Sequence, residues 1–161
     1  MKRWWLFFAC LVGLDAASKA WAGHFVPPLG PQWLGYPFGG IAVWDCGAFS
    51  FCLNTVGNSG AAWGLFQGYS GILFALRIVI IGGLFVYLLS GRERRVFPLW
   101  LILAGAVGNA IDYWLYGHVI DFLHFRFFEK TFPLFNAADS FITVGVALLL
   151  LMPEKKGWKA A

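Results

Sequence analysis

Charge is what this sequence has least of. Only 12% of its 161 residues are Asp, Glu, Lys or Arg, 60% are hydrophobic, and the mean hydropathy is +0.70. An ordinary soluble domain carries about 25% charged residues, so that class is excluded and the chain reads as an integral membrane protein. The net charge of +4 does not point to nucleic acid. The basic residues form no stripe on a soluble face and flank apolar segments instead. The first apolar segment lacks a small-residue cleavage site and runs past the length of a signal's apolar core, so no cleavable signal peptide is expected. Cysteine is scarce too. Cys10 falls in that segment, where Leu6-Phe7-Phe8-Ala9-Cys10 resembles a lipid-attachment box but follows too short an apolar stretch. Cys46 and Cys52 lie in a region expected outside the membrane, where a disulfide is chemically possible. Their spacing does not show that their Cα atoms approach, and free interfacial thiols are the expectation.

Four apolar stretches are long enough to cross ~30 Å of hydrocarbon: about 4–22, 72–90, 98–114 and 136–152. Between the first two, at about 23–71, no apolar run is continuous. Pro27-Pro28, Gly30-Pro31, Gly39-Gly40 and short alternating runs such as Ala48-Phe49-Ser50-Phe51-Cys52-Leu53 predict a small antiparallel sheet at the membrane surface. Trp33, Tyr36, Trp44 and Trp63 suit the interface. Residues 115–135 read as a loop. Basic residues cluster at Lys2-Arg3, at Arg92, Arg94 and Arg95, and at Lys155, Lys156 and Lys159. The positive-inside rule places all three clusters, and both termini, in the cytoplasm. The expected fold is therefore one integral membrane domain over 1–161, an all-α bundle of four transmembrane helices plus a small extracytoplasmic β-sheet.

The few charges inside the apolar segments carry the chemistry. A buried acid costs roughly 2.5–3.5 kcal/mol on insertion scales and is kept where it has a partner or a task. Asp15 and Lys19, four residues apart, share a helical face and can pair, which reads first as structural support. Arg77 lies just inside the second span, where it can snorkel or meet a carboxylate. Ala104, Gly105 and Gly108 allow close helix approach in the third. Asp121 and Asp139 come together if the last segments fold back on each other, and neighbouring carboxylates in a low dielectric share a proton. Asn136 is expected to cap the fourth span with Asp139 at N3, so Asp139 holds the charge and Asp121 the proton. Two weaker constellations compete. His118, Asp121 and His124, spaced by three, would offer metal ligands if they shared a helical turn. Gly57-Asn58-Ser59-Gly60 fits the G-x-S-G pattern of a rhomboid-type serine protease.

Five blocks, in order over nearly the whole chain, resemble the bacterial lipoprotein signal peptidases (signal peptidase II). They are Asp15-Ala16-Ala17-Ser18-Lys19, Asn58-Ser59-Gly60-Ala61-Ala62-Trp63, Gly108-Asn109-Ala110-Ile111-Asp112, Gly117-His118-Val119-Ile120-Asp121-Phe122 and Asn136-Ala137-Ala138-Asp139-Ser140. The resemblance implies a four-span aspartic peptidase of the inner membrane, active on its extracytoplasmic side without a metal or other cofactor. It would cut prolipoproteins before a diacylglyceryl-modified Cys. Asp121 and Asp139 would be the catalytic dyad, Asn58, Gly60, Asn109, Asp112 and Asn136 would shape the site, and Asp15 and Lys19 would support it. Membrane phospholipid and globomycin-type peptide antibiotics are implied partners, and nucleic acid is not. The chain departs from the family's pattern at Tyr113, where an Arg usually follows the third-block Asp. Asn54, close before Asn58, is a second candidate amide, but only Asn58 keeps the spacing to Gly60. A four-span proton- or cation-coupled transporter using the Asp pair, and a non-enzymatic scaffold, are the alternatives.

Overall fold

The computed structural model describes residues 2–59, 70–91, 96–128 and 130–151. Its helices are α1 (Lys2–Phe25), α2 (Ser70–Leu89), α3 (Val96–Tyr116) and α4 (Ala137–Leu151). Its strands are β1 (Ile41–Asp45), β2 (Phe49–Asn58), β3 (Val119–Phe127) and β4 (Lys130–Thr131). Three of the described helices, α1, α2 and α3, are long and apolar enough to cross a membrane. The described part of α4 is shorter, 15 residues or about 22 Å.

Helix α3 is the hub, packing against α1, α2 and α4. Glycine sets the spacing. A Cβ on Gly105 would collide with the Ala138 carbonyl oxygen and lie 2.8 Å from Ile142, and one on Gly145 would lie 2.6 Å from Ile102. The expected small-residue approach in α3 is thus met by a glycine reciprocating from α4. A cluster of Leu88, Leu99, Trp100 and Leu103, with Trp4, Phe7 and Phe8 packed on it, closes one end of the bundle. Most of α2 and much of α1 stay unburied, leaving apolar side chains such as Val79, Val86, Leu6 and Leu14 outward, as lipid-facing surfaces require.

The sheet corrects the sequence reading. It is antiparallel, in the order β1-β2-β3-β4, and its second half comes from residues 115–135, expected to be loop. Strand β3 is covered on both faces: Val119, Asp121, Phe122 and His124 are all buried, so the polar–apolar alternation that marks a half-exposed strand is missing from its sequence. β2 pairs with β3 from Phe49↔Phe127 to Asn58↔Val119, with an irregularity between Leu53 and Val56. Phe122 seats the sheet on Ala22 and Val26 at the end of α1. The segment leaving α1 lies beside β2, with Leu29 N–H donating to Thr55 O at 2.9 Å and Thr55 N–H to Pro27 O at 2.9 Å. Cys10, Cys46 and Cys52 are free thiols, but Cys52 is buried and not interfacial. Burial raises the Cys52 thiol to about 11, so it is inert at neutral pH.

Candidate active site

Helix α4 begins as its local sequence dictates. Asp139 N–H donates to Asn136 Oδ1 at 2.9 Å, and Asn136 N–H donates back to Asp139 Oδ2 at 3.3 Å, a reciprocal capping box with Asp139 at N3. With its Oδ1 committed to that cap, Asn136 turns its Nδ2 to Asp121 Oδ1 at 2.6 Å, and to Asn109 Oδ1 at 3.2 Å and Ile120 O at 3.3 Å. From α3, Asn109 Nδ2 donates to Asp139 Oδ1 at 2.7 Å. From the end of β2, Asn58 Nδ2 donates to Asp121 Oδ2 at 3.0 Å. Each of the four carboxylate oxygens of Asp121 and Asp139 therefore accepts an N–H, from residues of β2, α3 and the start of α4.

Beneath this pair lies a buried ionic network. Lys19 Nζ is 2.7 Å from Asp15 Oδ2, 2.9 Å from Asp112 Oδ2 and 2.9 Å from Asn109 Oδ1. Asp15 Oδ1 also accepts the Ala138 N–H at 2.8 Å, so a side chain of α1 caps the first turn of α4. Gly108 makes room for it, since a Cβ there would overlap the Asp15 carboxylate. Asp112 accepts the Ile120 N–H at 3.2 Å and anchors the start of β3. We expect Asp15→Ala to strand the Lys19 ammonium and free the Ala138 N–H, costing about 3–5 kcal/mol as broken buried pairs do. Thermal unfolding and yield in detergent would show it, with a milder change in the rate of the folded fraction. Unchanged stability with abolished chemistry would place Asp15 in the reacting set.

Asp121 and Asp139 line one cavity of about 550 Å³, with Asn58, Asn109 and Arg77. Its apolar wall is Val119 and residues 132–135, and Ser140, Thr143 and Val144 continue the face of α4 that bears Asp139. The sequence reading missed those α4 residues and the Phe132–Phe135 wall. The i+1, i+4 and i+5 spacing from Asp139 was the available signal for the former. Burial pushes the Asp121 carboxyl up to about 7; the Asn58 hydrogen bond opposes this, the Asp139 charge adds to it, and Asn136 and Lys19 oppose it.

Other sequence candidates separate. Asn54 is fully buried but serves the loop, donating to Pro37 O at 3.1 Å and facing His124 Nδ1 at 3.0 Å through its oxygen. His118, Asp121 and His124 do not share a helical turn: Asp121 and His124 sit three apart on a strand and so point to opposite faces, and the His118 ring lies over the bare backbone of Gly57. Burial holds His124 below the usual imidazole value. Ser59 follows β2, exposed. Gly60, Ala61, Ala62 and Trp63 lie outside the described residues, as do the basic clusters at 92–95 and 155–159. Tyr113 stacks on Phe74 of α2, ring centroids 4.8 Å apart, rather than lining the cavity.

Comparison with known proteins places the chain in a family. The profile of the Signal peptidase (SPase) II family matches residues 7–153. A lipoprotein signal peptidase of Chlamydia pneumoniae is 44% identical over 108 residues, covering 65% of this chain and 64% of that one. One from Synechocystis sp. is 41% identical over 139 residues, covering 85% and 78%. The chain thus spans about two thirds of the length of the chlamydial relative. A bacterial membrane enzyme structure determined by the in meso method at 2.3 Å resolution superposes with a TM-score of 0.74 at 27% identity, covering 100% of this chain and 96% of that one. The family match runs from α1 through both carboxylate-bearing segments, and with it this chain belongs to the signal peptidase II family.

Proposed function

We propose that this protein removes the signal peptides of prolipoproteins, cutting before the diacylglyceryl-modified Cys, with Asp121 and Asp139 as its catalytic dyad. The observation that carries the proposal is the donor set: two carboxylates in one cavity, each oxygen holding one N–H, so that both are fixed in position. Asp139, at N3 in the first turn of α4 where the helix dipole favours a negative charge, carries the charge and activates water. Asp121 carries the proton and delivers it to the leaving amine. Asn58, Asn109 and Asn136 hold the pair and Asp112 anchors β3; Gly60, which the resemblance adds to this set, lies outside the described residues. Family membership favours this peptidase over the transporter and scaffold alternatives.

In this reading all four helices cross the inner membrane as one domain, with both termini cytoplasmic and the sheet and dyad on the extracytoplasmic side. Basic residues at the N-terminus, between α2 and α3 and after α4 support that orientation. Exposed Val43 and Trp44 of β1 and Phe128 in the turn after β3 contact phospholipid, and a globomycin-type peptide would occupy the cavity as an inhibitor. The test is incubation of the purified protein with a lipid-modified prolipoprotein and with the same precursor carrying Ser in place of the modified Cys. Cleavage of the first alone supports the proposal; cleavage of neither defeats it.

The raised Asp121 value has a pH signature. If Asp121 is the proton donor, cleavage should fall as pH rises through about 7. Asn58 favours the charged form, so Asn58→Ala should move that fall to higher pH. The sign for stability is parallel: a folded-state value above the ordinary 3.8 gives stability fully present below 3.8 and lost as pH rises through about 7. A pH profile of initial rates, unmoved by Asn58→Ala, would remove Asp121 from the donor role.

A further inference from the structure

Lys19 is only 1% exposed, inside a helix long enough to span the membrane, and it has more partners than charge balance needs. Asp15 and Asp112 already set two carboxylates against one ammonium. The third partner is an amide oxygen, Asn109 Oδ1 at 2.9 Å, contributed 90 residues further along the chain. That contact has a directional consequence. An ammonium has N–H bonds to give and no lone pair to accept with, so the Asn109 atom facing it must be the oxygen. The other end of the amide must then be the NH₂ group, and this is the end that meets Asp139 Oδ1 at 2.7 Å. A flipped Asn109 would set donor against donor at Lys19 and acceptor against acceptor at Asp139. Asn136 Nδ2 reinforces the same orientation by donating to Asn109 Oδ1 at 3.2 Å.

Resting on the dyad reading above, we propose that Lys19 is a positioning residue for the reaction: its ammonium fixes the Asn109 amide so that a donor always faces Asp139. Lys19 is buried among Asp15, Asp112 and Asn109 and does not line the cavity of the dyad. Its hydrogen-bonded path to Asp139 runs through the Asn109 amide, which makes this role separable from the simpler one of tying α1 to α3 and from the pull of its charge on Asp121.

A double-mutant cycle on the full-length protein separates the two. Lys19→Gln keeps a polar side chain of similar length but can turn either its oxygen or its NH₂ group to Asn109, so the ammonium's share of the directional lock is lost and only the longer contact from Asn136 Nδ2 at 3.2 Å remains. We expect kcat to fall about 10- to 100-fold with KM within about threefold, and Asn109→Ala to cost a similar factor. In the Asn109→Ala background, Lys19→Gln should then cost at least about threefold less than it does alone, because the path to Asp139 is already cut and only the charge acting on Asp121 is left to lose. Lys19→Arg, another donor-only cation, should retain more of kcat than Lys19→Gln. If Lys19→Gln alone does not fold, the same four-cornered cycle of Lys19→Gln and Asn109→Ala is run in the Asp112→Asn background, with one carboxylate removed alongside the ammonium. Two effects that simply multiply, or a folded Lys19→Gln protein with wild-type kcat, would overturn the proposal and leave Lys19 a structural tie. Asp139→Asn is assayed in parallel. If it cleaves normally, the dyad itself is wrong and the role of Lys19 falls with it; if it is inactive while the cycle shows independence, only the role of Lys19 falls.

Discussion

Asp121→Asn and Asp139→Asn are each expected to abolish cleavage, a loss of at least about 1,000-fold, while the protein remains inserted and folded. The size follows from chemistry: an amide neither shares nor transfers the proton that the pair must pass between water and leaving group. The retained fold follows from the donors. In Asp121→Asn the introduced amide oxygen can still accept from Asn136 Nδ2, which Asn136 cannot turn away because its own oxygen is held by the Asp139 N–H. The introduced NH₂ group then faces Asn58, whose amide must rotate to present oxygen. In Asp139→Asn the contact from Asn109 Nδ2 survives and the return bond from Asn136 N–H is lost, because an NH₂ group replaces its acceptor, a capping loss of about 1 kcal/mol. Unfolding curves close to wild type, together with no product from a lipid-modified prolipoprotein, would meet this expectation. Near-normal turnover by either variant would sink the dyad assignment.

Arg77→Ala should also depress cleavage, by about 10- to 100-fold. After the third-block Asp112, where the resemblance leads to the expectation of a guanidinium, this chain has Tyr113, a neutral phenol that donates one hydrogen bond and brings no positive charge. The ring is used for packing against Phe74 of α2. Arg77 lies three residues beyond Phe74, on the same face of α2, and lines the cavity with Asp121 and Asp139. It makes no ion pair among the described residues, so its charge is free to act on the cavity. A cation there favours ionised carboxylate and offers paired donors to a substrate carbonyl. Tyr113→Arg in the Arg77→Ala background should therefore restore much of the lost rate. Normal cleavage by Arg77→Ala, or no rescue by the second change, would reduce Arg77 to a snorkelling residue and Tyr113 to a packing one.

The features legible in the sequence are those whose partners lie within a few residues. Apolar length and the scarcity of charge identify the membrane segments. Asn136 and Asp139, three apart at the start of an apolar run, specify their own capping box, and Asp15 and Lys19 specify their own pair. Spacing of three without a known element left His118, Asp121 and His124 open, because three residues are one turn of a helix but opposite faces of a strand. That β3 is a strand depends on β2, about 70 residues earlier, covering its edge.

Only the tertiary structure decided which polar residues meet. Asn54 and Asn58 are four apart on one strand, yet one closes a loop and the other reaches Asp121, because β2 loses its regular register between Leu53 and Val56. Lys19 gains Asn109 and Asp112, and Asp15 gains the Ala138 N–H, only because glycines at 105, 108 and 145 let α1, α3 and α4 approach to backbone distance. A glycine in the sequence permits such an approach without naming the surface that will fill it. Five chain segments bring their polar groups to the dyad by packing, and packing is a property of all of them at once.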